Sequence, residues 1–357
     1  MKYLLPIILT APMLYPLTTT AAEQDEIKVL SLNVWQEGTM IKNGYQAIID
    51  RIVDINPDII TLQEVRNYKD DFQKRLAADL QKRGLTYNVA STYAKYGKEK
   101  SAGIGKKGTD DTGILTKYKI IADDSAEKST RALIDINGQT AAVYSVHLDY
   151  LSLAQYEPRG YSGDSYRALP NAITDEKQVL ADNARSKRPQ QISAVLEDAK
   201  ALRQKGDVVI IAGDFNEPSY LDWTEKNRNQ YGHNGAVIHW TSSKRVADAG
   251  YLDTFRTRNP DEQLHPGFTW LANNTEKLHP DIKDPGIDER DRIDFIYIDN
   301  SGKLEVVDSK TYGPAGEVVG GARDTAEIES QKIALPANKV WPSDHLGLLT
   351  TLRLKDK

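Results

Sequence analysis

The stretch VVIIAGDFNEPS, residues 208–219, decides the fold of this chain. Its first five residues are apolar, which predicts a short strand buried within a sheet. The strand leads directly into Gly213, Asp214 and Asn216. Asp214 and Asn216 are two positions apart, so on an extended turn their side chains can point to the same side. A carboxylate and an amide at the end of a buried strand indicate a functional position, although plain turn chemistry before Glu217 and Pro218 also fits them.

Other apolar strands along the chain also end in polar residues. These ends are Asn33 in LSLNV, Glu64 in ITLQEV, His147 in YSVHL, Asp294 in RIDFIYI, and Asp344 with His345 in PSDHLGLL. Each of them alone is compatible with an exposed side chain, a turn or a cap. Six such ends in one chain predict that the strand ends converge on one site.

The side chains in this set suit a divalent metal and a phosphate. Glu64 is a hard oxygen ligand of the kind that Mg²⁺ or Mn²⁺ prefers, and Asp344 could add a second carboxylate. Asn33 could accept a hydrogen bond from a water or donate one to a phosphate oxygen. The expected cofactor is therefore Mg²⁺ or Mn²⁺.

The remaining residues of the set suit proton transfer. His345 could take a proton from an attacking water, and Asp294 could hold the imidazole in one tautomer and stabilise its charged form. His147 could donate to a phosphate oxygen and stabilise developing charge. Together with the metal ligands, these residues predict metal-assisted hydrolysis of a phosphate ester.

Strands dominate the predicted secondary structure, and helices flank them. The predicted strands are residues 27–34, 58–65, 113–121, 132–136, 141–148, 208–212, 293–298 and 346–352. Helical spacing of apolar residues predicts helices over residues 44–55, 70–83 and 192–202. Residues 95–112 and 149–187 are polar and carry no clear periodicity, so both are predicted to be loops.

Eight blocks, in this order, resemble the endonuclease/exonuclease/phosphatase superfamily of DNase-like metal-dependent phosphoesterases. They are LSLNVW, DIITLQEV, TGILTKYKI, YSVHLDY, VVIIAGDFNEPS, GFTW, DRIDFIYI and PSDHLGLL, and they cover nearly all of residues 27–352. The resemblance implies an α/β fold, a four-layer α/β sandwich of two packed mixed β-sheets flanked by helices.

The resemblance also implies a role for each site residue. It places the metal on Glu64, with Asn33 and Asp344 close by. His345 acts as the base on the nucleophilic water and Asp294 orients it, while Asp214, Asn216 and His147 position the nucleophile and the phosphate. The attack is in line and forms no covalent enzyme intermediate.

Two arginines are further substrate-binding candidates. Arg66 follows QEV, where DNase-like nucleases can place an arginine on the nucleic acid, although relatives that are not nucleases also carry one. Arg188, in RPQQI, resembles the helix-opening Arg-x-x-Gln pattern of the family and fits a structural role as well as a phosphate-facing one. Four histidines in polar sequence match no metal-ligand spacing and are predicted to be solvated; they are His233, His239, His265 and His279.

The first 22 residues have the pattern of a secretory signal peptide. Lys2 supplies the positive charge, a mostly apolar stretch follows, and Thr20, Ala21 and Ala22 precede an acidic start. Their removal leaves 45 basic and 51 acidic residues, a formal charge of −6. We therefore expect an exported protein, periplasmic or secreted, that binds no polyanion by bulk charge. A stable membrane insertion is not expected, since no apolar run reaches the roughly 20 residues that span a bilayer.

The mature chain is predicted to be one domain, residues 23–357, since no linker divides it, and we expect a monomer. The absence of cysteine excludes disulfides, thiolate metal sites and cysteine nucleophiles. Residues 149–187 follow His147 directly and form an insertion that is atypical of the family. It is rich in tyrosine and arginine and is expected to overhang the site and select the substrate.

The substrate itself stays open at this point, because the fold does not choose it. A phosphatase or phosphodiesterase for a small phosphate ester fits the acidic charge and the insertion. An endonuclease is the first alternative, with nucleic acid as its substrate only; Arg66 and the lysines of residues 95–107 would support it. A sphingomyelinase-like phospholipase follows, although no aromatic-rich hairpin for a membrane is evident. A catalytically inactive binding protein is the last alternative.

Overall fold

The computed structural model describes residues 26–91, 112–126, 129–272, 282, 284, 286–324 and 331–355. The predicted signal peptide and most of the predicted loop at residues 95–112 lie outside the described residues. No helix in the described ranges is long and apolar enough to cross a membrane.

Two large mixed sheets form the centre of the molecule. The first has seven strands in the order β14-β11-β15-β1-β2-β4-β3. Its strands are β1 (Glu26–Asn33), β2 (Ile59–Gln63), β3 (Asn88–Ser91), β4 (Thr112–Thr116), β11 (Leu304–Pro314), β14 (Lys332–Leu335) and β15 (Gly347–Leu354). The central strand β1 is parallel to β2 and antiparallel to β15.

The second sheet has six strands in the order β5-β6-β7-β8-β10-β9. These strands are β5 (Lys119–Ala126), β6 (Ser129–Ile136), β7 (Gln139–His147), β8 (Val208–Asp214), β9 (Tyr251–Asp253) and β10 (Asp294–Asp299). The central strands β7 and β8 are parallel, and β8 is antiparallel to β10. A separate hairpin joins β12 (Glu317–Val319) to β13 (Ala322–Asp324).

The described part of the chain contains six α-helices, the last of which contributes Phe255 to the apolar core between the sheets. They are α1 (Gly44–Ile55), α2 (Phe72–Gln81), α3 (Glu176–Asn183), α4 (Arg188–Gln204), α5 (Thr241–Asp248) and α6 (Thr254–Arg258). Residues of α1 and α2, such as Ile48 and Leu76, pack on the outer face of the first sheet. Residues of α4 and α5, such as Ile192 and Val246, pack on the outer face of the second sheet.

A third apolar core lies between the two sheets and contains residues of both. Val29 and Ile59 of the first sheet and Val143 and Ile210 of the second belong to it, and all four are fully buried. The layers are therefore helix, sheet, sheet and helix, which confirms the predicted four-layer sandwich of two mixed sheets. Because strands β1, β2, β7 and β8 are covered on both faces, most of their residues are buried, polar ones included.

Some element boundaries differ from the sequence prediction. The helix at residues 44–55 is confirmed as α1, whereas α4 begins at Arg188 and not at residue 192, with Pro189 in its first turn. The strand predicted at residues 113–121 is two strands, β4 and β5, which belong to different sheets. The periodicity of apolar residues did not detect the crossing because only Lys117 and Tyr118 separate the two strands.

The insertion at residues 149–187 is more ordered than the sequence analysis predicted. It contains a short 3₁₀-helix, Ala154–Tyr156, and the helix α3, whose first turn is capped where the Asp175 side chain accepts from the Gln178 N–H at 2.9 Å. Its residues Tyr156 and Arg159 are buried. The prediction of a structureless loop was therefore wrong, because the chain here packs through long-range contacts that have no local period.

Candidate active site

Three predicted site residues lie in one row across the second sheet. In the strand register, His147 at the end of β7 pairs with Asp214 at the end of β8, and Asp214 pairs with Asp294 at the start of β10. The His147 Nε2 atom lies 3.7 Å from Asp214 Oδ2. All three side chains are almost completely buried. The sheet register alone therefore brings an imidazole and two carboxylates to the same edge.

The first sheet delivers Asn33 and Glu64 to the same place. Asn33 ends β1, and its Oδ1 accepts from the Trp35 N–H at 2.9 Å, which leaves Nδ2 to donate to Asp214 Oδ2 at 3.1 Å. The same Nδ2 lies 3.4 Å from Glu64 Oε1. The other Glu64 oxygen accepts from the Gln36 N–H at 3.1 Å. Asn33 thus joins carboxylates from both sheets through its amide nitrogen.

Asp344 and His345 precede β15 and complete the cluster. His345 Nδ1 lies 2.9 Å from Asp294 Oδ2, and its Nε2 lies 3.7 Å from Asp214 Oδ2. Burial alone would lower the pKa of His345, but the carboxylates of Asp294 and Asp214 outweigh it and raise the pKa to about 10. In this arrangement the imidazole is protonated and ion-paired at neutral pH.

The acidic groups in the cluster hold their protons more tightly than usual. Burial raises the pKa of Asp344 to about 7, with His345 opposing the increase and Glu64 adding to it. Burial also raises the pKa of Asp214, against the opposing effects of His345 and His147. Such shifts show that negative charge is concentrated in a space where water cannot fully solvate it.

The residues present fit a divalent cation. The Asp344 Oδ1 atom is buried and accepts no hydrogen bond from any described residue, and such an oxygen is costly unless a cation or a proton meets it. Glu64 faces the same cavity with a partly exposed carboxylate. Hard oxygen donors of this kind suit Mg²⁺ or Mn²⁺.

A second group of possible ligands lies next to this pair. Ligand atoms of Asp214, Asp294 and His345 lie within 4.8 Å of one another. In that group, however, the His345 imidazole is already hydrogen-bonded to Asp294, and Asp214 accepts from Asn33 and from the Asn216 N–H at 2.8 Å. Asp344 Oδ1 has no hydrogen-bond partner among the described residues, and Glu64, although it accepts from the Gln36 N–H and pairs with Arg66, is partly exposed to the cavity. The carboxylates of Glu64 and Asp344 therefore fit a cation best.

The cluster opens into a cavity of about 300 Å³. The predicted site residues that line it are Glu64, Arg66, His147, Asp214, Asn216, Asp344 and His345. Asn216 has a left-handed backbone (φ 49°) and its Nδ2 donates to Leu148 O at 3.1 Å. Asn33 and Asp294 lie behind this lining and contact it through the hydrogen bonds described above.

The two arginines occupy different environments. Arg66 lines the cavity and its Nη2 lies 3.2 Å from Glu64 Oε2, so it is placed beside the carboxylate that is assigned to the metal. Arg188 is completely buried and donates to the carbonyl oxygens of Asp149, Leu151 and Ser152. It does not line the cavity, so the substrate-binding prediction for Arg188 was wrong and its structural alternative is correct.

Several residues of the cavity wall were not found by sequence reasoning. The insertion contributes Tyr150, Leu153, Gln155, Tyr156 and Tyr166, as its expected position over the site implied. Glu289 and Asp291 were not singled out, because they precede β10 in a run of charged residues that resembles a solvated loop.

Thr269, in the GFTW block, ties the His345–Asp294 pair together. It is fully buried, and its Oγ1 accepts from the N–H groups of Ile293 and Asp294 at 3.1 and 3.0 Å. Its carbonyl accepts from the Leu346 N–H at 2.7 Å. Its position in a motif of the quoted blocks was the signal that could have identified it.

One of the four histidines predicted to be solvated is buried. His233 is 2% exposed and stacks on Trp223 with ring centroids 3.7 Å apart. His239 is exposed, as predicted, and His265 is partly exposed. His279 lies outside the described residues.

Comparison with known proteins finds a similar sequence and similar solved structures. An uncharacterised protein from Caenorhabditis elegans is 28% identical over 349 residues, which is 96% of this chain and 95% of that protein. Among solved structures, D. rerio TDP2 complexed with single strand DNA product has a TM-score of 0.49 at 17% identity, covering 92% of this chain and 99% of that one. An endonuclease/exonuclease/phosphatase family protein from Leptotrichia buccalis has a TM-score of 0.47 at 18% identity, covering 92% of this chain and 100% of that one.

The family assignment rests on most of the sandwich. The model of the Endonuclease/Exonuclease/phosphatase family matches residues 30–345, a span that begins in β1 and ends at His345. It therefore includes the second sheet, the first sheet apart from β15 and the start of β1, and all of the site residues described above. This chain belongs to the endonuclease/exonuclease/phosphatase family.

Proposed function

We propose that this protein is a phosphoric ester hydrolase that depends on Mg²⁺ or Mn²⁺ and cleaves a phosphate mono- or diester with an activated water. The observation that carries the proposal is the buried His345–Asp294 pair, 2.9 Å apart, beside carboxylates that line the same cavity of about 300 Å³. A base, its orienting group and cation ligands around one cavity are the parts that this chemistry requires.

Glu64 and Asp344 would hold the cation, with Asn33 keeping their neighbourhood in place through its amide nitrogen. A bound divalent ion would supply positive charge to the phosphate oxygens. Arg66, paired with Glu64 at 3.2 Å, is positioned to add a second positive charge to the same oxygens.

His345 would take the proton from the attacking water at its Nε2 atom. Asp294 holds Nδ1 as a donor, so that Nε2 is the nitrogen that exchanges its proton. The pKa of about 10 reflects the carboxylates of Asp294 and Asp214 first and that of Asp344 last. A cation bound at Asp344 would cancel the last of these contributions and so lower the pKa of His345, which helps the imidazole to accept a proton.

Asp214, His147 and Asn216 would orient the water and the phosphate. Asp214 Oδ2 lies 3.7 Å from Nε2 of His147 and 3.7 Å from Nε2 of His345. It also accepts from the amide of Asn33, so one carboxylate oxygen connects all three side chains. His147 and Asn216 both line the cavity and would donate to phosphate oxygens.

Export, one domain over residues 23–357 and a monomeric state belong to the same proposal. The apolar start and the small residues before residue 23 support cleavage and export to the periplasm or the medium. Cell fractionation would test export, and size-exclusion chromatography with light scattering would test the monomeric state. A protein that keeps its first 22 residues and stays in the cytoplasm would contradict the export proposal.

An endonuclease is the second candidate, and the observation that favours it is Arg66 on the cavity wall. The lysine-rich stretch at residues 95–107, which would form the other part of a nucleic-acid surface, lies outside the described residues.

Purified mature protein would be assayed with Mg²⁺ or Mn²⁺ on a phosphomonoester, a phosphodiester, sphingomyelin and supercoiled DNA. Glu64→Ala and His345→Ala are expected to lose activity. His239→Ala, which changes an exposed histidine that does not line the cavity, is expected to keep it. Cleavage of small esters with intact DNA supports the proposal, and efficient nicking of DNA favours the nuclease. No cleavage of any substrate would contradict both.

A further inference from the structure

The cavity has a second polar wall that the proposed chemistry does not use. The insertion residues Gln155, Tyr156 and Tyr166 face Glu289 and Asp291 in it. Trp270 connects this wall to the reacting end, since it forms backbone bridges to both Asp291 and His345. A ligand whose phosphate lies at His345 would therefore extend its organic part toward this wall.

One of the two acids on this wall is neutralised by the protein. Asp291 Oδ2 accepts from Arg159 Nη1 at 2.7 Å, and Asp291 Oδ1 accepts from Trp223 Nε1 at 3.0 Å. Both oxygens and the charge of Asp291 are thereby satisfied, so Asp291 has a structural role.

Glu289 is not neutralised in the same way. Its Oε1 accepts from the Tyr156 hydroxyl at 2.8 Å, and no lysine or arginine forms an ion pair with it in the described part of the chain. Glu289 is only 8% exposed, and what exposure it has is into the cavity that it lines. A buried carboxylate in this position is costly unless a cation or a proton meets it, and the cavity is the side from which a cation could reach it.

Gln155 adds an unsatisfied acceptor next to this charge. The residue is 5% exposed, it lines the cavity, and its Oε1 is buried with no hydrogen-bond partner among the described residues. Buried amide oxygens are nearly always hydrogen-bonded, so this atom is expected to meet a donor that a ligand supplies.

The aromatic rings around these two acceptors also suit a cation. Tyr156 and Tyr166 pack edge to face with centroids 5.2 Å apart, and Tyr150, 41% exposed, lies at the rim. A ring face attracts a positive charge that has lost part of its water. One hydroxyl could satisfy only one acceptor, whereas a primary ammonium has three donors and a charge.

We propose that Gln155, Tyr156 and Glu289 form a second subsite that binds a primary ammonium group on the organic part of the substrate. This inference rests on the proposed function and names its substrate class, an amine-bearing phosphate ester. The ammonium could belong to a soluble ester or to a lipid head group, since both present the same chemistry to the wall.

Three matched p-nitrophenyl phosphodiesters test the subsite, with ethanolamine, choline or ethylene glycol as the second ester group. The ethanolamine ester is expected to have a kcat/KM about ten-fold or more above that of the glycol ester, as expected for a desolvated charge pair. Glu289→Gln keeps the shape and the acceptor for Tyr156 and should reduce this ratio to within about two-fold, chiefly through KM. Glu197→Gln, at an acid on the exposed face of α4, should leave the ratio unchanged.

Gln155→Leu is the second variant and covers the case in which Glu289→Gln does not fold. It should lower the preference for ethanolamine over choline, because only the primary ammonium donates to the amide oxygen. Equal turnover of all three esters would overturn the subsite and leave the proposed hydrolysis intact. A choline preference equal to that for ethanolamine would overturn the role of Gln155, and no turnover of any ester would overturn the proposed function as well.

A second arm separates the two sources of the ammonium group. Vesicles of phosphatidylcholine with phosphatidylethanolamine are compared with the soluble ethanolamine ester. Turnover of either one, reduced by Glu289→Gln, supports the subsite and identifies its source. Turnover of neither, with the glycol ester still cleaved, would overturn it.

Discussion

His345 and Asp294 are 51 positions apart in the chain, yet Nδ1 of the imidazole lies 2.9 Å from the carboxylate. Asp294 starts β10 in the second sheet, whereas His345 precedes β15 in the first. The pair therefore crosses the interface between the sheets, and its geometry depends on how they pack. Thr269, bonded to the backbone on both sides, holds this crossing in place.

Replacement of Asp294 by asparagine should slow catalysis. The variant keeps the shape of the side chain but removes the charge that stabilises the imidazolium and fixes its tautomer, so kcat is expected to fall by about 100-fold or more. Steady-state assays on a small phosphodiester would measure the loss. Asp308→Asn, at an exposed acid paired with Lys310, serves as control. A fall in kcat of less than about three-fold would contradict the role of Asp294.

Metal affinity should identify which carboxylates hold the cation. Glu64→Gln and Asp344→Asn are each expected to weaken Mn²⁺ binding by at least about 10-fold, whereas Asp294→Asn changes it by less than about three-fold. Isothermal titration of the protein with Mn²⁺ alone measures this without any substrate. The reverse pattern would place the ion on Asp214, Asp294 and His345 instead.

Arg188 should matter for stability rather than for binding. Its guanidinium donates to Asp149, Leu151, Ser152 and Asn183, so Arg188→Met leaves several buried acceptors unsatisfied. The free energy of unfolding is expected to fall by about 3 kcal/mol or more.

Arg185→Met is the matched control for this variant. Arg185 lies three positions before Arg188, within the insertion, and is half exposed in its pair with Asp164, so its replacement should cost at most about 1 kcal/mol. Urea denaturation followed by circular dichroism would compare the two. Equal losses would show that Arg188 does not anchor the insertion. Deletion of residues 149–187 would remove the acceptors of Arg188 and so disrupt the fold. Such a deletion is therefore not a test of whether the insertion selects the substrate.

His233 should make the protein sensitive to acid. Burial, and then the charge of Arg159, lower the pKa of His233 from 6.5 to about 3. Between these values the unfolded chain binds a proton that the folded protein does not bind, so stability falls as the pH drops below 6.5. The slope from this residue is about 1.4 kcal/mol per pH unit.

His233→Phe keeps the stack on Trp223 and removes the titration. The difference in unfolding free energy between wild type and variant is expected to be constant above pH 7 and to shift in favour of the variant below it. Urea midpoints at pH 7, 6, 5 and 4 would measure this. Parallel pH curves for the two proteins would show that His233 has the same pKa in the folded and the unfolded state, which would contradict this prediction.

The strands and the polar residues at their ends could be predicted from local sequence, whereas the sandwich was predicted from the resemblance of eight blocks to a known family. An apolar run such as residues 208–212 favours a strand that is covered on both faces, so the polar residues at its end are easily recognised. The passage from β4 to β5 could not be predicted, since only Lys117 and Tyr118 separate the two strands and no local pattern shows which sheet a strand joins.

The sequence by itself determined which side chains are candidates for the chemistry, from Asn33 to His345, because residue type and position at strand ends are local properties. Only the tertiary structure decided that Arg188 is an internal anchor and that Gln155 and Glu289 face the cavity. The hydrogen-bonded pair Tyr156 and Glu289 is 133 positions apart, and Arg188 donates to residues up to 39 positions away. Long-range packing leaves no period in the sequence, and it alone sets which polar groups remain open to a ligand.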